Sequence, residues 1–279
     1  MIRMKVTLDL GGTNIRTAVV DGSTVLNKSS VPCRANDTEQ AVIEQIIASI
    51  EPLVNDKTDG IGIGVPSVVD PREGIVYNAA NIPSWRKVPL KSILEQRFNL
   101  PVRVNNDCNC FALGEHRYGA GRGLRDMVGI TLGTGVGSGL ILDGRLYSGV
   151  LCGAGEVGSL PYLDSDFEHY CSSLWLRDAH NTTGAELAQK ANAGDKKAIA
   201  LWHKFGENLG ELTKAILFAY APEAIVIGGG IAAAMPLFRA GWESTVMTFP
   251  YPRIAQGCRM IQAELPDANL IGAALLFED

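Results

Sequence analysis

Three glycine-rich turns each follow a strand-like segment of this 279-residue chain. They lie at Gly11–Asn14, Gly133–Gly139 and Gly228–Gly230. Glycine has no Cβ, so the backbone N–H groups of such a turn can approach an anion closely. Close packing explains a single turn of this kind equally well. Three of them on strand ends predict a site for a polyphosphate.

Two aspartates stand at the ends of strand-like segments, where a carboxylate can reach a ligand. Asp9 interrupts an apolar strand directly before the first glycine turn. It suits a Mg²⁺ ion held largely through water beside phosphates, although an aspartate can also bond the turn backbone. Asp107 ends the segment Asn105-Asn106-Asp107, which follows the strand-like Val102–Val104 and precedes a helix. It is either the N-cap of that helix or a catalytic carboxylate, and the two roles are compatible.

Further polar residues follow the second glycine turn. Glu156 lies between two glycines, and Glu168 precedes His169. Taken alone, Glu168 reads as surface charge and His169 as a structural imidazole.

The common signatures of nucleotide and metal sites are absent. No GxxxxGK[ST] segment exists, which excludes a P-loop protein. Gly228, Gly230 and Ala233 match the dinucleotide fingerprint, but no acidic residue follows at the expected spacing of about 20 residues. The six cysteines contain no CxxC pair, so the usual zinc and redox spacings are missing.

Composition narrows the class of protein. Hydrophobic residues make up 46% and charged residues 20%, as in an ordinary globular protein. The net charge of −5 gives no electrostatic reason to expect a nucleic-acid partner. No apolar stretch approaches the length of a membrane span, and no signal region precedes the first strand. We therefore expect a cytoplasmic protein with reduced thiols and no membrane partner.

Strand-like and helix-like segments alternate along the chain, which predicts an α/β fold. A helix is expected with Asp37 as its N-cap, and its apolar face comprises Val42, Ile43, Ile46, Ile47, Ile50 and Leu53. Strands are expected at 2–10, 15–20, 61–65, 102–104 and 224–227, and a further strand follows the turn at 21–22 and ends near residue 31. Helices are expected at 184–221, with a break near 192–194, and at 268–278.

A weak internal repeat is the most informative pattern. Residues 8–22 read LDLGGTNIRTAVVDG, and residues 130–144 read ITLGTGVGSGLILDG. Both show a strand, a glycine turn, a strand and Asp-Gly. Chance similarity of two glycine hairpins is an alternative. A genuine repeat predicts two similar lobes whose glycine loops face one cleft.

Taken in order, these segments resemble the ROK family of repressors, open reading frames and sugar kinases. The two repeat segments resemble the family's phosphate loops, and IVIGGGI its adenosine segment. IGIGVPSVVD followed by NIPSW, and NNDCNCFALGE, resemble its IGIGVPGPVD…NLPGW and ENDANAAALGE. The resemblance covers nearly the whole chain. It implies an actin-like ATPase fold of two ribonuclease-H-like lobes around a nucleotide and sugar cleft, with residues 1–106 and 267–279 in the smaller lobe and 107–266 in the larger.

The resemblance also implies a function, a hexose kinase that transfers the γ-phosphoryl of ATP to a sugar hydroxyl. O6 of glucose, allose or a related hexose or N-acetylhexosamine is the expected acceptor, with Asp107 as catalytic base. ATP and Mg²⁺ are the expected cofactors, Asp9 holding Mg²⁺ through water, and a homodimer is consistent with the family. The implied sugar-binding residues are Ser67, Asn81, Asn106, Asp107, Glu156 and Glu168, and the implied ATP-binding residues are Asp9, Gly11, Gly12, Thr13, Asn14, Gly133, Thr134, Gly135, Gly228 and Gly229.

The chain departs from the family pattern around the sugar site. Ser67 and Ser84 stand where the family often has glycine, and Ser159 stands in place of the histidine of GEIGH. The cysteine cluster of the family's structural zinc is missing, so no zinc is expected. We expect packing to hold the shortened loop instead, with Leu160, Pro161, Tyr162 and Phe167 as anchors.

Two rival functions follow from the same resemblance. A repressor of this family carries a DNA-binding extension before the first phosphate loop, for which the eight residues before Asp9 leave no room. A non-catalytic sugar-binding pseudokinase or regulator is the second rival. Retention of Asp9, Asp107 and both glycine loops argues against it.

Overall fold

Two five-stranded sheets form the frame of the protein in a computed structural model that describes residues 4–79 and 81–278. A three-stranded antiparallel sheet and one two-stranded hairpin complete the β structure. The strands are β1 (Met4–Leu10), β2 (Asn14–Asp21), β3 (Thr24–Pro32), β4 (Thr58–Val65), β5 (Val68–Asp70), β6 (Ile75–Tyr77), β7 (Lys87–Val88), β8 (Val102–Asn106), β9 (Met127–Leu132), β10 (Val136–Leu142), β11 (Arg145–Leu146), β12 (Pro161–Tyr162), β13 (Ser165–Asp166), β14 (Ala224–Gly228) and β15 (Arg259–Gln262).

Ten α-helices pack on and between these sheets in the described residues, with single 3₁₀ turns in the connections. None is both long and apolar enough to cross a membrane. The helices are α1 (Glu39–Ile50), α2 (Leu90–Phe98), α3 (Asp107–Tyr118), α4 (Phe167–Tyr170), α5 (Ser173–Asp178), α6 (Gly184–Asn192), α7 (Lys196–Ala219), α8 (Met235–Val246), α9 (Pro252–Gly257) and α10 (Ala268–Leu275).

The two sheets share one topology. The first has the order β3-β2-β1-β4-β8 and the second β11-β10-β9-β14-β15. In each, an antiparallel meander of three strands continues into two parallel strands. The repeat predicted from the glycine hairpins is therefore genuine at the level of the fold. The first sheet lies within residues 4–106 and the second within 127–262, while the proposed lobe boundaries at 106 and 267 remain a prediction.

Helices α3 and α10 lie between the two sheets. Their apolar side chains form one cluster with Ala18 of β2, Met127 of β9 and Val226 of β14. Glycines permit this packing, because a Cβ on Gly62 of β4 would overlap the backbone of α10, and one on Gly272 of α10 would overlap the backbone of α3. The glycines of the IGIG segment thus serve close backbone contact, which brings the start of α3 to the cleft.

Two capping predictions are corrected by the structure. The N-cap of α1 is Thr38, whose hydroxyl accepts a hydrogen bond from the Ala41 amide, and not Asp37. Asp107 is not an N-cap either, since the Asn106 side chain accepts from the amides of Cys108 and Asn109. In both cases a neighbouring side chain of the preferred type reaches the free amides of the first turn. Residues 2 and 3 of the predicted first strand lie outside the described residues.

Candidate active site

Two adjoining cavities border the predicted site, the first between residues of both sheets and the second within the second half of the chain. The first, of about 570 Å³, is lined by Arg16, Asp107, Thr131, Gly228–Gly230 and the 262–269 segment, among others. The second, of about 540 Å³, is lined by Gly133, Thr134 and the start of α6 and α8. Gly230 and Ala233 line both cavities. Residues of the second and third predicted glycine turns therefore border these cavities, whereas the first hairpin contributes Arg16, two residues after its turn.

Asp107 stands at the first position of α3, at the end of the buried strand β8. The strand before it pairs with β4, and a Cβ on Gly64 would lie 3.3 Å from the Asp107 Cα. One carboxylate oxygen, Oδ1, accepts from the Cys108 amide at 2.9 Å. Burial, followed by the negative charge of Asp9, raises the pKa of Asp107 to about 6. The position suits a general base, because such a carboxylate is ionised at neutral pH yet basic enough to take a proton.

Asn105 and Asn106 hold this end of β8 in place. Asn105 Oδ1 accepts from the Asn106 amide at 2.8 Å and from Asn109 Nδ2 at 2.9 Å, and Cys152 Sγ donates to the same oxygen at 3.1 Å. Cys152 comes from the second half of the chain and is buried in the apolar core of the first sheet. The link therefore joins the end of β8 that precedes Asp107 to the segment that leads to Glu156.

Ser67 contributes its backbone rather than its hydroxyl to this network. Its carbonyl accepts from Asn106 Nδ2 at 3.4 Å, while its Oγ donates to the Tyr77 carbonyl at 2.5 Å. The predicted sugar-binding residue Ser67 thus positions another predicted sugar ligand, Asn106. Its own role toward sugar remains a prediction.

The first glycine loop is supported by an ion pair. Arg16 donates from Nε to Asp9 Oδ2 at 2.9 Å, and its Nη2 bonds the same oxygen. Burial raises the pKa of Asp9, and the Arg16 charge opposes that shift. Asp9 Oδ1 accepts no hydrogen bond from the described residues. A carboxylate with one oxygen to spare fits a Mg²⁺ ion bound through water, so the site suits the predicted metal.

Each glycine loop also lies against one predicted sugar-binding residue. A Cβ on Gly12 would overlap the Asn81 side chain, and a Cβ on Gly135 would overlap the Glu168 carboxylate. Glu168 Oε2 accepts from the Val136 amide at 3.0 Å. The structure therefore places Asn81 and Glu168 at the two loops where the γ-phosphate is expected.

Glu156 and Glu168 influence each other electrostatically. Burial raises the pKa of Glu156, and the negative charge of Glu168 raises it further. The two carboxylates are therefore within electrostatic reach of each other, while their convergence on a sugar remains a prediction. Two like charges held together favour a ligand that donates hydrogen bonds, as sugar hydroxyls do.

Gly228 and Gly229 connect β14 with the short helical turn that begins at Gly230. Gly229 has a φ of 85°, and a Cβ there would overlap the Leu132 backbone. A Cβ on Gly228 would overlap the Phe111 ring. Both positions therefore require glycine and keep the backbone open toward the cavities, which agrees with the predicted nucleotide contact.

Packing in the shortened loop differs from the prediction in two of four positions. Tyr162 and Phe167 stack with ring centroids 4.4 Å apart, and Phe167 is buried. Leu160 and Pro161 are exposed, so the prediction that they anchor the loop is wrong. The reason is that Leu160 and Pro161 lead into the short hairpin of β12 and β13, most of whose residues are exposed. Across residues 4–79 and 81–278, no cluster of three or more His, Cys, Asp and Glu side chains could hold a metal ion.

Arg16 is the functional candidate that the sequence analysis missed. It faces Asp9 directly across the first hairpin, because a four-residue loop places residues seven apart opposite each other. That spacing, with a cation on the strand after the loop, was the available signal. Asp267 and Asn269 of the cleft wall were also missed, and Asn269 Nδ2 donates to the Asp107 carbonyl at 3.4 Å.

Comparisons with known proteins agree with this arrangement. The family model of the ROK family matches residues 5–279. A glucokinase from Halalkalibacterium halodurans is 31% identical over 98% of this chain and 94% of its own. The crystal structure of a ROK family glucokinase from Streptomyces griseus in complex with glucose and AMPPNP superposes with a TM-score of 0.84 at 27% identity, over 98% of both chains.

A regulator is also similar to part of the chain. The xylose repressor of Caldicellulosiruptor bescii is 44% identical over 167 residues, which span 59% of this chain and 41% of the repressor.

Proposed function

The chain belongs to the ROK family of sugar kinases and repressors, with the actin-like ATPase fold in two lobes, and we propose that it is an ATP-dependent hexose kinase. The acceptor is O6 of glucose, allose or a related hexose or N-acetylhexosamine. The observation that carries the proposal is Asp107, a carboxylate with a pKa raised to about 6 that lines the same cavity as Arg16 and Gly228–Gly230. A binding protein or repressor has no need for a proton acceptor at that point.

The sugar is held by residues from both halves of the chain. Asn81 and Asn106 offer amide groups from the first half, and Glu156 and Glu168 offer carboxylates from the second. Hydrogen bonds from sugar hydroxyls relieve the repulsion between the two glutamates. This set orients the acceptor hydroxyl toward Asp107 and fixes the distance to the γ-phosphate, and such positioning supplies much of the rate in phosphoryl transfer.

Asp107 accepts the hydroxyl proton as the sugar oxygen bonds to phosphorus and the bond to the β-phosphate oxygen breaks. The loops Gly11–Asn14 and Gly133–Gly135 bind the phosphate oxygens through the backbone N–H groups that the turns leave free, since the Gly11 and Gly133 amides donate to the Asn14 and Gly135 carbonyls. Gly228 and Gly229 lie against the adenosine. Mg²⁺, when bound through water at Asp9, neutralises charge on the β- and γ-phosphates. We place the reaction in the cytoplasm, since all six cysteines are free thiols, and a homodimer remains a prediction.

A coupled assay of ADP formation over a panel of hexoses and N-acetylhexosamines tests the proposal. We expect sugar-dependent turnover with at least one member, and phosphorus NMR of the product locates the new ester on O6. Asp107→Asn is expected to fold normally and lose at least about 100-fold in kcat, the low end for general-base catalysis. The exposed Asp56→Asn serves as the matched control and keeps full activity.

One result would contradict the kinase proposal. Binding of sugar and ATP without ADP formation would indicate the pseudokinase alternative. Full turnover by folded Asp107→Asn would contradict only the assignment of Asp107 as the base and would leave the kinase activity.

A further inference from the structure

We propose that Glu115 is a positioning residue for nucleotide binding, whose buried carboxylate fixes the 262–269 segment of the first cavity relative to Asp107. The inference rests on the proposed kinase function, in which this cavity receives the nucleotide. Glu115 does not line the cavity itself, so it acts through the backbone that it holds.

Glu115 is a carboxylate that the fold removes entirely from solvent. It stands in the last turn of α3 and is 0% exposed. In the part of the chain that the structure describes, no ion pair includes it. Burying a carboxylate costs free energy unless hydrogen bonds satisfy it. The groups that donate to Glu115 therefore show what the side chain holds in place.

Three backbone amides donate to the two oxygens of this carboxylate. The Leu265 amide donates to Oε1 at 2.9 Å, and the Glu264 and Ala120 amides donate to Oε2 at 3.3 and 2.8 Å. An ionised carboxylate accepts on both oxygens, whereas a glutamine side chain has one acceptor oxygen and an NH₂ group that would face an amide donor. The carboxylate is therefore the group that joins the loop after α3 to the 262–269 segment.

The 262–269 segment is tied to both ends of α3. At the start of the helix, Asn269 Nδ2 donates to the Asp107 carbonyl at 3.4 Å. At its end, Glu115 holds the amides of residues 264 and 265. About 12 Å of helix axis separates the two ties, since an α-helix rises about 1.5 Å per residue. Helix α3 therefore sets the distance between the proposed base and this side of the cavity.

The held segment belongs to the nucleotide side of the cavity under the proposed function. Gln262, Ala263 and Leu265 line the cavity together with Gly228–Gly230. The Ala263 amide donates to the Ile227 carbonyl at 2.8 Å, and β15 runs parallel to β14. A shift of the segment therefore changes the space beside the glycines proposed to lie against the adenosine.

Glu115→Gln tests the role, with Glu223→Gln as the matched control. Glu223 accepts from the Arg125 and Asp126 amides at 2.6 and 3.2 Å, so it also holds a loop through backbone amides, yet it lines neither cavity. Titration calorimetry gives the Kd values for MgATP and MgADP, and its stoichiometry gives the fraction of competent protein. The coupled assay at saturating MgATP gives KM for the sugar.

We expect Glu115→Gln to raise both nucleotide Kd values about tenfold or more, because charge-assisted hydrogen bonds that position the segment are lost. ATP and ADP should be affected equally, since the adenosine is common to both. KM for the sugar should stay nearly constant, because the proposed sugar ligands Glu156 and Glu168 do not line this cavity. Glu223→Gln should leave the nucleotide Kd values and the sugar KM unchanged.

Gly119→Ala is a second variant that keeps the carboxylate and displaces it. A Cβ at Gly119 would overlap Glu115 Oε2, so the side chain has to move. We expect a smaller rise in both nucleotide Kd values, again without a change in the sugar KM. This variant decides the inference if Glu115→Gln does not fold.

The outcomes separate this inference from the proposed function. Unchanged nucleotide Kd values in folded Glu115→Gln, or an equal loss of affinity in Glu223→Gln, overturn the inference and leave Glu115 with a structural role alone. A wild type that binds MgATP and phosphorylates no sugar contradicts the kinase function, and the nucleotide Kd values of the variants then still decide on Glu115. A wild type that binds neither nucleotide overturns the inference directly.

Discussion

The two glycine hairpins of the molecule have the same plan and different chemistry. In the first, Leu10 pairs with Ile15 across a four-residue loop. In the second, Leu132 pairs with Val136 across a loop of three residues. The sequence repeat aligns Asp9 with Thr131 and Arg16 with Ser138, yet only the first pair is opposed across its hairpin, since Thr131 faces Gly137.

The difference indicates that the same glycine hairpin has a different function in each sheet. The first loop carries its own charges, because Asp9 and Arg16 flank it. The second loop is flanked by hydroxyls, with Thr131 Oγ1 3.2 Å from Cys108 Sγ and Ser138 bonded to the Gly155 carbonyl. Its carboxylate comes from Glu168, outside the hairpin. We infer that the first hairpin handles phosphate charge and metal, while the second links phosphate to the sugar.

Matched substitutions at the aligned positions Asp9 and Thr131 test the difference between the two hairpins most directly. Asp9→Asn should lower kcat by about 10–100-fold, because a neutral amide replaces the carboxylate that holds the metal through water. Thr131→Val, the matched change in the second hairpin, should alter kcat by about threefold or less, since one modest hydrogen bond is lost. Coupled assays at saturating MgATP measure both, with circular dichroism to check folding. Equal losses in the two variants would contradict the division of tasks.

Substitutions of Glu156 and Glu168 test the role of the second hairpin in sugar binding. Glu156→Gln and Glu168→Gln should each raise KM for the sugar about tenfold, because each replaces a charged acceptor of a sugar hydroxyl. KM for ATP should stay nearly constant in both. Glu168→Ala should raise KM for the sugar and KM for ATP, because this variant also leaves the Val136 amide at the glycine loop without its acceptor. An unchanged sugar KM in Glu168→Gln would remove Glu168 from the sugar site.

Alanine substitutions at the loop glycines distinguish a Cβ that meets a fixed atom from one that meets the end of a flexible side chain. Gly12→Ala should destabilise the protein by about 1–3 kcal/mol, because the Asn81 Cβ that it meets is fixed by the backbone. Gly135→Ala meets the end of the flexible Glu168 side chain, so we expect a smaller loss of stability and a raised sugar KM. Gly133→Ala has no atom within 4 Å and is the control. Thermal unfolding ranks the three, and a destabilised Gly133→Ala would contradict the geometry.

The pH dependence of kcat/KM is the property in which we expect the smallest change between variants. A base must be deprotonated to act, and the pKa of Asp107 is raised to about 6, so kcat/KM should fall as the pH decreases through about 6. Asp9→Asn should shift this acid limb to lower pH, because the Asp9 charge raises the pKa of Asp107. Thr131→Val should leave it in place. An acid limb near the ordinary aspartate pKa in the wild type would argue against a buried base.

Much of this arrangement was predictable from local pattern. The glycine turns, the apolar strands and the ordered family segments indicated two similar lobes and the position of Asp107, because each depends on residues close in sequence. The Asp9–Arg16 pair depends on loop length and pairing register, and the identical spacing of the two repeats concealed a loop one residue shorter. The exposure of Leu160 and the cap at Thr38 depend on tertiary contacts and on competition between adjacent residues, which hydrophobic pattern does not resolve.

The close packing of α10 against β4 and α3 has a consequence for synthesis of the chain. Its residues 268–275 cover the first sheet through Gly62 and α3 through Gly272, so that sheet lacks part of its apolar cover until α10 exists. At roughly 5–20 residues per second, the roughly 160 residues between β8 and α10 take a ribosome about 10–30 s. Part of the apolar surface of the nascent first half therefore stays exposed during that interval, and a chaperone that shields β1 and β4 would lower the risk of aggregation.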